Sequence, residues 1–454
     1  MEEKEKEKEM TNDKVVEATE ATPKAEDSKK RIKILFLPSD KFGVGMHRSV
    51  VPAVNLDRYC KGIFDVSIAY EPMKYPIEWF TKFDIIHFSK YIGTSVEFNQ
   101  KVIDAVKAKG GTVIMDIDDY WHLGRFHPMG MVAEKKKSHI PLVENLSLVD
   151  YVTTTTETFA KEIRKHNSNV AIFPNVADTK DPQFVPHPTK SNRIRFGIIC
   201  GSSHEHDIEL LRGMTNALPK DLYDKVQFVL CGFDLRGSVK YKDPKTGEER
   251  TRQLLPMEST WYRYEKILTD DYKLVSPEYK EFLFKFLPNS EYPFVENEMY
   301  RRCWTKDIRN YMTHYNNIDV LLAPLKECDF NKMKSNLKTV EAGFMHKGFI
   351  AQDYGPYQID TVSILNKDGS INDKGNCLLV DSRKNHKLWG KYITMLARKP
   401  ELIGMMSENL YNTVKDKYSA ETMSYQRAAF YLECYMKKHP GEEIPGVIHY
   451  VKNS

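Results

Sequence analysis

The segment Asp319-Val-Leu-Leu-Ala-Pro-Leu-Lys326, followed by Asn331-Lys-Met-Lys-Ser-Asn-Leu-Lys-Thr-Val-Glu-Ala-Gly343, decides the fold of this chain. A short apolar run, a polar loop and an amphipathic helical pattern in this order predict one β-loop-α unit. In parallel sheets built from such units, ligands bind where the strands end. The helical pattern also predicts one buried stripe, whose members are spaced by four, three and four residues: Met333, Leu337, Val340 and Phe344.

A polar face lies about a hundred degrees around the same predicted helix, where Lys334, Lys338 and Glu341 repeat that spacing. Free N–H groups from Ser335 onward and two lysines suit an anionic diphosphate, and a carboxylate further along suits a diol. This arrangement is typical of a nucleotide-sugar site. The alternative interpretation is an ordinary solvated helix face that carries an i,i+3 ion pair.

Length and composition limit the possible classes of protein. A chain of 454 residues exceeds one ordinary domain and predicts two domains with appendages. The formal net charge is only +4, so no strong field favours nucleic acid as a partner. Seven scattered cysteines form no Cys-x-x-Cys pair, which predicts reduced thiols of a cytoplasmic protein and neither a disulfide framework nor a zinc site.

Residues 1–30 contain 7 Lys and 10 Asp or Glu and few large apolar side chains. Such a segment buries too little surface to offset chain entropy, so we expect a disordered charged tail. The sequence has neither an apolar signal region at its start nor a run approaching eighteen apolar residues. We therefore expect no secretion and no transmembrane segment, while peripheral membrane contact stays open.

Apolar strand patterns alternate with helical patterns in two long parts of the chain. This alternation predicts an α/β fold with two Rossmann-like, doubly wound parallel-sheet domains. The aromatic residues of an insertion in the second part are expected to be core, or else a platform on which an acceptor sugar stacks. The predicted division is a tail at 1–30, an N-terminal domain at 31–180, a proline-rich linker at 181–192, a C-terminal domain at 193–395 with the insertion at about 235–305, and helices at 396–454.

Two loops that follow predicted strands contain small residues. Gly43 and Gly45 allow close approach of the backbone to a ligand, although Arg48 stands where a dinucleotide fingerprint has its third glycine. This loop is either a tight turn or a place where the backbone approaches a ligand. In the second predicted domain, Gly201, Ser202 and Ser203 can present N–H and hydroxyl groups to phosphate oxygens.

Three acidic residues, Asp116, Asp118 and Asp119, end another predicted strand. Carboxylates at that position are costly unless they serve a site. We assign Asp118 and Asp119 as catalytic candidates, since a carboxylate can orient a reacting hydroxyl or stabilise developing positive charge. The alternative is that these acids cap the next turn and pair with Arg125 or a lysine.

The order of strand, Pro324 turn, Lys-Ser, Lys and Glu-Ala resembles the donor-site segment of retaining glycosyltransferases of the GT-B fold, in particular the GT4 group. The turn that contains Pro174, Asn175 and Asp178 is also similar to that family. The resemblance implies two Rossmann-like domains that face a central cleft, with the acceptor on the N-terminal side and the nucleotide sugar on the C-terminal side. It further implies that Glu341 binds the ribose hydroxyls, and that the C-terminal helices return to the N-terminal domain.

The implied activity is transfer of a sugar, with retention and without a metal, from a nucleotide-diphosphate donor to a glycan, lipid or protein, as in polysaccharide biosynthesis. The nucleotide sugar is a co-substrate, and no cofactor is expected. The resemblance implies that the diphosphate lies against Gly201, Ser202, Ser203, Lys334, Ser335 and Lys338, with Gly43, Gly45, His47 and Arg48 in the cleft.

The sequence departs from the family pattern at two places. The family's first glutamate falls on Met333, and the Arg-x-x-x-x-Lys pattern is absent after Ser203, so His204 and the later lysines are expected to replace it. An Asp-x-Asp pattern also binds metal in the single-domain GT-A transferases, but two predicted sheets argue against that architecture. A sugar-nucleotide epimerase and a catalytically silent nucleotide-sugar-binding protein stay open as alternatives.

Overall fold

The computed structural model describes residues 30–382 and 385–442 and has two lobes, each built on a six-stranded, wholly parallel sheet. The sheet order is β2-β1-β3-β4-β5-β6 in the N-terminal lobe and β11-β8-β7-β12-β13-β14 in the C-terminal lobe. The strands are β1 Ile32–Leu37, β2 Phe64–Ile68, β3 Ile85–Ser89, β4 Thr112–Asp116, β5 Tyr151–Thr154, β6 Val170–Ile172, β7 Ile194–Ile199, β8 Val226–Phe233, β9 Ser238–Lys242, β10 Glu249–Gln253, β11 Tyr300–Trp304, β12 Val320–Ala323, β13 Gly348–Gln352 and β14 Leu378–Val380.

Helices cover both faces of each sheet. They are α1 Gly43–Gly45, α2 Val51–Tyr59, α3 Ile77–Phe80, α4 Val96–Ala108, α5 Gly130–Lys135, α6 His139–Leu148, α7 Glu157–Ile163, α8 Glu205–Ile208, α9 Thr260–Leu268, α10 Pro277–Phe284, α11 Asp329–Lys332, α12 Leu337–Phe344, α13 Asn385–Arg398, α14 Glu401–Val414 and α15 Ala420–Lys438. A π-helical segment, Met46–Val50, joins α1 to α2. The α/β fold class with two doubly wound parallel sheets is thus confirmed, whereas the predicted tail at 1–30 lies almost wholly outside the described residues.

Each sheet is buried on both faces, which explains the continuous apolar runs of its strands. In the N-terminal lobe one face packs against α4, α6 and α7, and the other packs against α2 and α15. In the C-terminal lobe α9 and α13 cover one face, and α12 with the end of α14 covers the other. The strands therefore end together at the edges that face the opposite lobe, where a ligand is expected to bind.

The chain returns from the C-terminal lobe to the N-terminal lobe beside Ala177. The N–H of Ala177 donates to the carbonyl of Tyr418 at 3.0 Å, and the N–H of Ala420 donates to the carbonyl of Ala177 at 2.9 Å. The structure here differs from the prediction that all helices after residue 396 return to the N-terminal domain. α14 stays with the C-terminal lobe through Leu410 and Val414, and of the helices described after residue 400 only α15 packs on the N-terminal lobe.

The insertion contains two features that the sequence did not indicate, the hairpin β9–β10 and the edge strand β11. Four of its aromatic residues lie in the core of the lobe, as expected, and are at most 7% exposed: Trp261, Tyr264, Tyr272 and Tyr279. Tyr241 and Phe294, in contrast, are 39% and 63% exposed. Arg302 of β11 donates to Glu265 of α9 at 2.6 and 2.8 Å. A buried ion pair therefore holds this edge strand against the insertion.

The helix predicted over residues 331–343 is broken in the structure. α11 ends at Lys332 and α12 begins only at Leu337, so the four residues between them are not helical. Met333 leaves the expected stripe and packs into the apolar cluster of the N-terminal lobe, and Leu337 lines a cavity. The break brings the start of α12 to the space between the lobes.

Candidate functional site

A cavity of about 1070 Å³ lies between the lobes, and it brings together most of the residues singled out in the sequence. The predicted residues that line it are Gly43, His47, Asp118, Asp119, Gly201, Ser202, Ser203, Lys334, Ser335, Lys338 and Glu341. Arg48 and Gly45 do not line it. The loops after β1 and β4 form the N-terminal wall, and the loop after β7 with the start of α12 forms the C-terminal wall.

Glu341 lies at the floor of the cavity and is 1% exposed. Tyr311 donates to its Oε1 at 2.6 Å, and Tyr315 and Lys338 donate to its Oε2 at 2.6 and 2.7 Å. Burial opposes ionisation, but the charge of Lys338 and these hydrogen bonds outweigh it and hold the pKa of the carboxyl below its usual range. The carboxylate is therefore ionised, and its Oε1 retains an acceptor position for a ligand hydroxyl.

Tyr311 also connects the two lobes. Its hydroxyl oxygen lies 3.1 Å from Nε2 of His47, which belongs to the π-helical segment Met46–Val50 of the N-terminal lobe. Burial lowers the pKa of His47, so the imidazole is neutral near pH 7. Because the Tyr311 hydroxyl donates to Glu341, the His47 nitrogen must carry the proton and donate to Tyr311. A chain of hydrogen bonds thus runs from the N-terminal lobe to the carboxylate on α12.

The segment before α12 places polar groups at the lobe boundary. Asn175 of the N-terminal lobe donates to Oγ of Ser335 at 3.1 Å. The Nζ of Lys334 lies 5.1 Å from the ring centroid of Phe330 and also faces the cavity. The first N–H groups of α12, at Leu337 and Lys338, lack partners within the helix. Two lysines, one hydroxyl and a helix N-terminus therefore converge on one part of the wall, as an anionic group requires.

The loop after β7 faces this wall with Gly201, Ser202 and Ser203. Its neighbour His204 was expected to supply positive charge, and the structure corrects this expectation. Burial, assisted by the charge of Lys334, lowers the pKa of His204, and its Nδ1 lies 2.7 Å from Asp207. His204 is therefore neutral near pH 7, and the positive charge of this wall comes from the lysines.

Asp118 and Asp119 form a carboxylate pair on the N-terminal wall, beside Lys90. The Nζ of Lys90 lies 3.0 Å from Asp118 Oδ1 and 3.4 Å from Asp119 Oδ2. Burial and the charge of Asp119 raise the pKa of Asp118 to about 6, although Lys90 opposes this shift. Asp118 can therefore gain or lose a proton near neutral pH.

Sequence reasoning missed Lys90, which follows β3 with a left-handed backbone (φ +61°). A lysine is rarely held in that conformation. Its position at the carboxyl end of a neighbouring strand was the signal available in the sequence.

Arg48 and Gly45 serve the frame of the site. Arg48 is fully buried and donates to both oxygens of Asp116 at 2.7 and 2.9 Å, and it also donates to Asn175 Oδ1 at 3.0 Å. A Cβ on Gly45 would lie 1.9 Å from the carbonyl oxygen of Asp40, so this glycine permits a close approach within its own loop. The expectation that both residues face a ligand is therefore wrong.

The far wall of the cavity comes from the insertion and the segment after β11. It includes Trp261, one of the aromatic residues considered as an acceptor platform, and residues that the sequence did not single out for the site: Gly237, Ser238, Leu254, Thr305, Lys306 and His314. Burial and nearby lysines lower the pKa of His314 to about 3, and neither of its ring nitrogens has a hydrogen-bond partner in the described structure. This wall therefore combines small, apolar and charged groups, Lys306 among them, around one neutral imidazole.

Within residues 30–382 and 385–442, no group of three or more His, Cys, Asp or Glu side chains is arranged to hold a metal ion. None of the described helices combines the length and the apolar character that crossing a bilayer requires.

No protein-family model matches the sequence, and no curated protein sequence resembles it significantly. Solved structures do resemble the fold. Anabaena Alr3699/HepE in complex with UDP and glucose has a TM-score of 0.55 at 10% identity, with 89% of this chain and 100% of that chain covered. A glycosyltransferase from Rickettsia africae ESF-5 has a TM-score of 0.54 at 12% identity, with 91% and 100% covered.

An α,α-trehalose-phosphate synthase (UDP-forming) from Burkholderia vietnamiensis is similar with a TM-score of 0.50 at 10% identity, and 89% of this chain and 98% of that chain are covered. The alignments extend over both lobes. Together with the two parallel sheets and the cavity between them, they show that the chain has the GT-B architecture.

Proposed function

We propose that this chain is a glycosyltransferase, GT4-like, that transfers a sugar from a nucleotide-diphosphate donor to a glycan, lipid or protein acceptor. One observation carries the proposal. Cationic and hydroxyl groups of the C-terminal lobe, a buried ionised glutamate and a carboxylate pair of the N-terminal lobe line the same cavity of about 1070 Å³. That volume is at the upper end of the range of small-molecule sites.

The donor lies on the C-terminal wall in this proposal. Lys334, Lys338 and Ser335 contact the diphosphate together with the first N–H groups of α12 and the loop that contains Ser202. A ribose hydroxyl donates to Oε1 of Glu341, where one acceptor position remains beside the Tyr311 hydrogen bond. The fixed lysines and N–H groups also stabilise negative charge on the departing diphosphate, so the proposed reaction does not require a metal.

The acceptor and the reacting carbon lie towards the N-terminal wall. Asp118 and Asp119 face the cavity beside Lys90. In its ionised form Asp118 accepts a hydrogen bond from the acceptor hydroxyl or stabilises positive charge on the sugar ring. Retention of configuration is the outcome that the GT4-like resemblance implies, and it belongs to the proposal.

The fold comparisons guide the choice of donor. HepE was crystallised with UDP and glucose, and the trehalose-phosphate synthase is described as UDP-forming. A uridine donor is therefore the first to test. The apolar side chain of Met333 is buried between the lobes, so it supplies no polar contact to the transferred sugar. This favours one alternative, a nucleotide-sugar-binding protein without turnover.

Thermal unfolding with UDP-glucose, GDP-mannose and ADP-glucose tests donor binding. A donor at a hundred times its dissociation constant adds about 2.7 kcal/mol to the free energy of unfolding. Glu341→Gln and Lys338→Ala should abolish the shift, whereas Lys332→Ala, an exposed lysine of α11 outside the cavity, should retain it. A shift that survives both cavity variants would place the donor elsewhere.

Release of UDP from UDP-glucose, with and without added sugar acceptors, then separates an enzyme from a binding protein. A transferase releases UDP, and Asp118→Asn slows that release without abolishing the thermal shift. Donor binding with no turnover under any acceptor would support the silent alternative. Interconversion of the donor sugar without an acceptor would instead indicate an epimerase.

A further inference from the structure

Unusually exposed apolar side chains lie in the segments that follow β2 and β4. The loops after β1 to β4 all leave the carboxyl edge of the N-terminal sheet, because these strands are parallel neighbours in the order β2-β1-β3-β4. Met131 is 82% exposed, and Met129 and Met73 are 53% and 52% exposed. We call this the rim surface, and its apolar members are Tyr70, Met73, Tyr75, Met129, Met131 and Ile140.

Contacts between successive loops make the rim surface continuous. The Nζ of Lys41 lies 5.4 Å from the ring centroid of Tyr70, which joins the loops after β1 and β2. Thr94 Oγ1 lies 3.4 Å from the sulfur of Met73, which joins the loops after β2 and β3. Tyr91 Oη lies 3.4 Å from the carbonyl of Ser138, which joins the loop after β3 to the α5–α6 tip. The apolar side chains after β2 and those after β4 therefore lie on one edge of the lobe, connected through the loops after β1 and β3, and exposed apolar side chains gathered in this way mark an interaction site.

The same surface carries a cluster of positive charge. Lys135, Lys136 and Lys137 are consecutive and exposed at the end of α5, against one nearby acid, Glu134. Met131 and Lys135 are four residues apart and so lie on one side of the short helix. Apolar side chains therefore lie one helical turn from lysine ammonium groups. This pairing suits a partner that offers both an apolar region and anionic groups.

We propose that the rim surface binds the surface of an anionic lipid bilayer. The methionine, tyrosine and isoleucine side chains enter the headgroup region, and the three lysines contact lipid phosphates. A second copy of the chain fits less well, because a twofold contact would place two like-charged lysine clusters opposite each other. Phe42 follows β1 and lines the cavity, so the bilayer would lie beside the cavity mouth.

A consequence concerns the acceptor and rests on the proposed function. An acceptor carried by a lipid would reach the cavity without leaving the membrane surface. Attachment to lipid does not depend on this consequence, so binding to vesicles and binding of a nucleotide sugar are measured separately.

Co-sedimentation of the full chain with vesicles tests the proposal. Wild-type protein should pellet with vesicles of phosphatidylcholine mixed with phosphatidylglycerol and stay in solution with phosphatidylcholine alone. Replacing Lys135, Lys136 and Lys137 together with Gln should lower the partition coefficient about a hundredfold, since each lysine near such a surface contributes roughly a fivefold preference. Met129→Ser combined with Met131→Ser should lower it about tenfold.

Matched variants on the C-terminal lobe serve as controls. Lys240, Lys242 and Lys245 lie on and beside the exposed hairpin, and their joint replacement with Gln makes the same change in net charge. Leu255→Ser with Met257→Ser removes apolar side chains that are 60% and 59% exposed. Both controls should pellet like wild type.

Three outcomes would overturn the proposal. The first is wild-type protein that stays in solution with anionic vesicles, and the second is a hairpin charge variant that loses binding as fully as the rim variant. The third is loss of self-association, measured by light scattering, in the rim variants without any vesicle binding, because it would assign the surface to a second copy. Thermal unfolding with UDP-glucose should be unchanged in the rim variants, so a failure of this proposal is distinct from a failure of the proposed function.

Discussion

Replacement of Asp118 by Asn tests the electrostatics of the N-terminal wall. The side chain of Asp118 is 14% exposed and lies beside Asp119, so its ionised form is disfavoured in the folded protein. Lys90 reduces this cost without removing it, because the pKa of Asp118 is raised to about 6 in spite of the lysine. Asparagine has nearly the same shape and no charge, and its carbonyl oxygen can still accept a hydrogen bond from Lys90. We therefore expect Asp118→Asn to stabilise the protein at pH 7.

The magnitude and the sign follow from proton linkage. The pKa of Asp118 rises from 3.8 to about 6 on folding, so between these values the folded state binds more protons than the unfolded state. The contribution of this group to the free energy of unfolding therefore falls as pH rises from about 4 to about 6 and is constant above. A shift of this size corresponds to about 3 kcal/mol. The variant should equal wild type near pH 3.5 and exceed it by up to about 3 kcal/mol at pH 7.

Urea unfolding across that pH range measures the effect. Asp57→Asn, which neutralises an exposed carboxylate of α2, serves as the control and should differ from wild type by less than about 0.5 kcal/mol throughout. A destabilised Asp118→Asn protein at pH 7, or a difference that does not grow between pH 4 and 6, would refute the argument. UDP release from a nucleotide sugar should fall in the same variant, since the carboxylate that we assign to the reaction is absent.

Three further changes probe the frame of the cavity. Gly45→Ala places a methyl group against a backbone oxygen and should lower the free energy of unfolding by about 3 kcal/mol. Gly43→Ala is the control, because its methyl group meets nothing within 4 Å and should change the free energy of unfolding little. Equal effects of the two substitutions would contradict the loop geometry. Arg48→Met leaves a buried carboxylate unpaired and should cost about 3–5 kcal/mol in urea unfolding, and a neutral result would show that the carboxylate is protonated. Tyr311→Phe removes a hydrogen bond to a buried carboxylate and should lower the free energy of unfolding by about 2 kcal/mol. The donor should also raise the unfolding temperature of this variant by less than that of wild type. An unchanged rise would show that Tyr311 does not contribute to donor binding.

Local patterns were sufficient to predict the two sheets. Buried parallel strands require short continuous apolar runs, and the run that ends at Ala323 forms a strand as expected, whereas the helix that contains Val340 begins only at Leu337. Glu341 and Lys338 also lie on one face of that helix, because helical spacing alone brings them together. The residues after β7 and β4 line the cavity because loops at the carboxyl ends of parallel strands lie at the same edge of a sheet.

What could not be predicted depends on contacts between distant parts of the chain. Arg48 follows a glycine loop and so resembles a ligand-facing residue, but its partner Asp116 is 68 residues away. The helix break before Leu337 coincides with a hydrogen bond from Asn336 to the hydroxyl of Tyr418 at 2.8 Å, at the point where the chain crosses between lobes. Neither contact leaves a periodic signal.

The edge strand β11 was missed for a related reason. Its sequence, Tyr-Arg-Arg-Cys-Trp, carries two arginines where a buried strand normally has apolar residues. Arg302 is tolerated because Glu265 pairs with it and the ring of Phe233 lies 4.1 Å from its guanidinium carbon. A strand that contains charged residues can therefore be predicted only when the partners of those residues are known.

The crossing of the chain at Ala177 has a consequence for how this protein can be divided. The N-terminal lobe consists of residues 31–180 and α15. Any continuous fragment that contains all of it must therefore also contain the C-terminal lobe. A proteolytic nick in residues 181–192 would leave the two pieces associated, because Tyr431 and Tyr435 remain buried against the N-terminal sheet. Expression of residues 31–180 alone would expose that face of the sheet. A circular permutant that begins at α15 and continues into β1 would instead make the lobe contiguous.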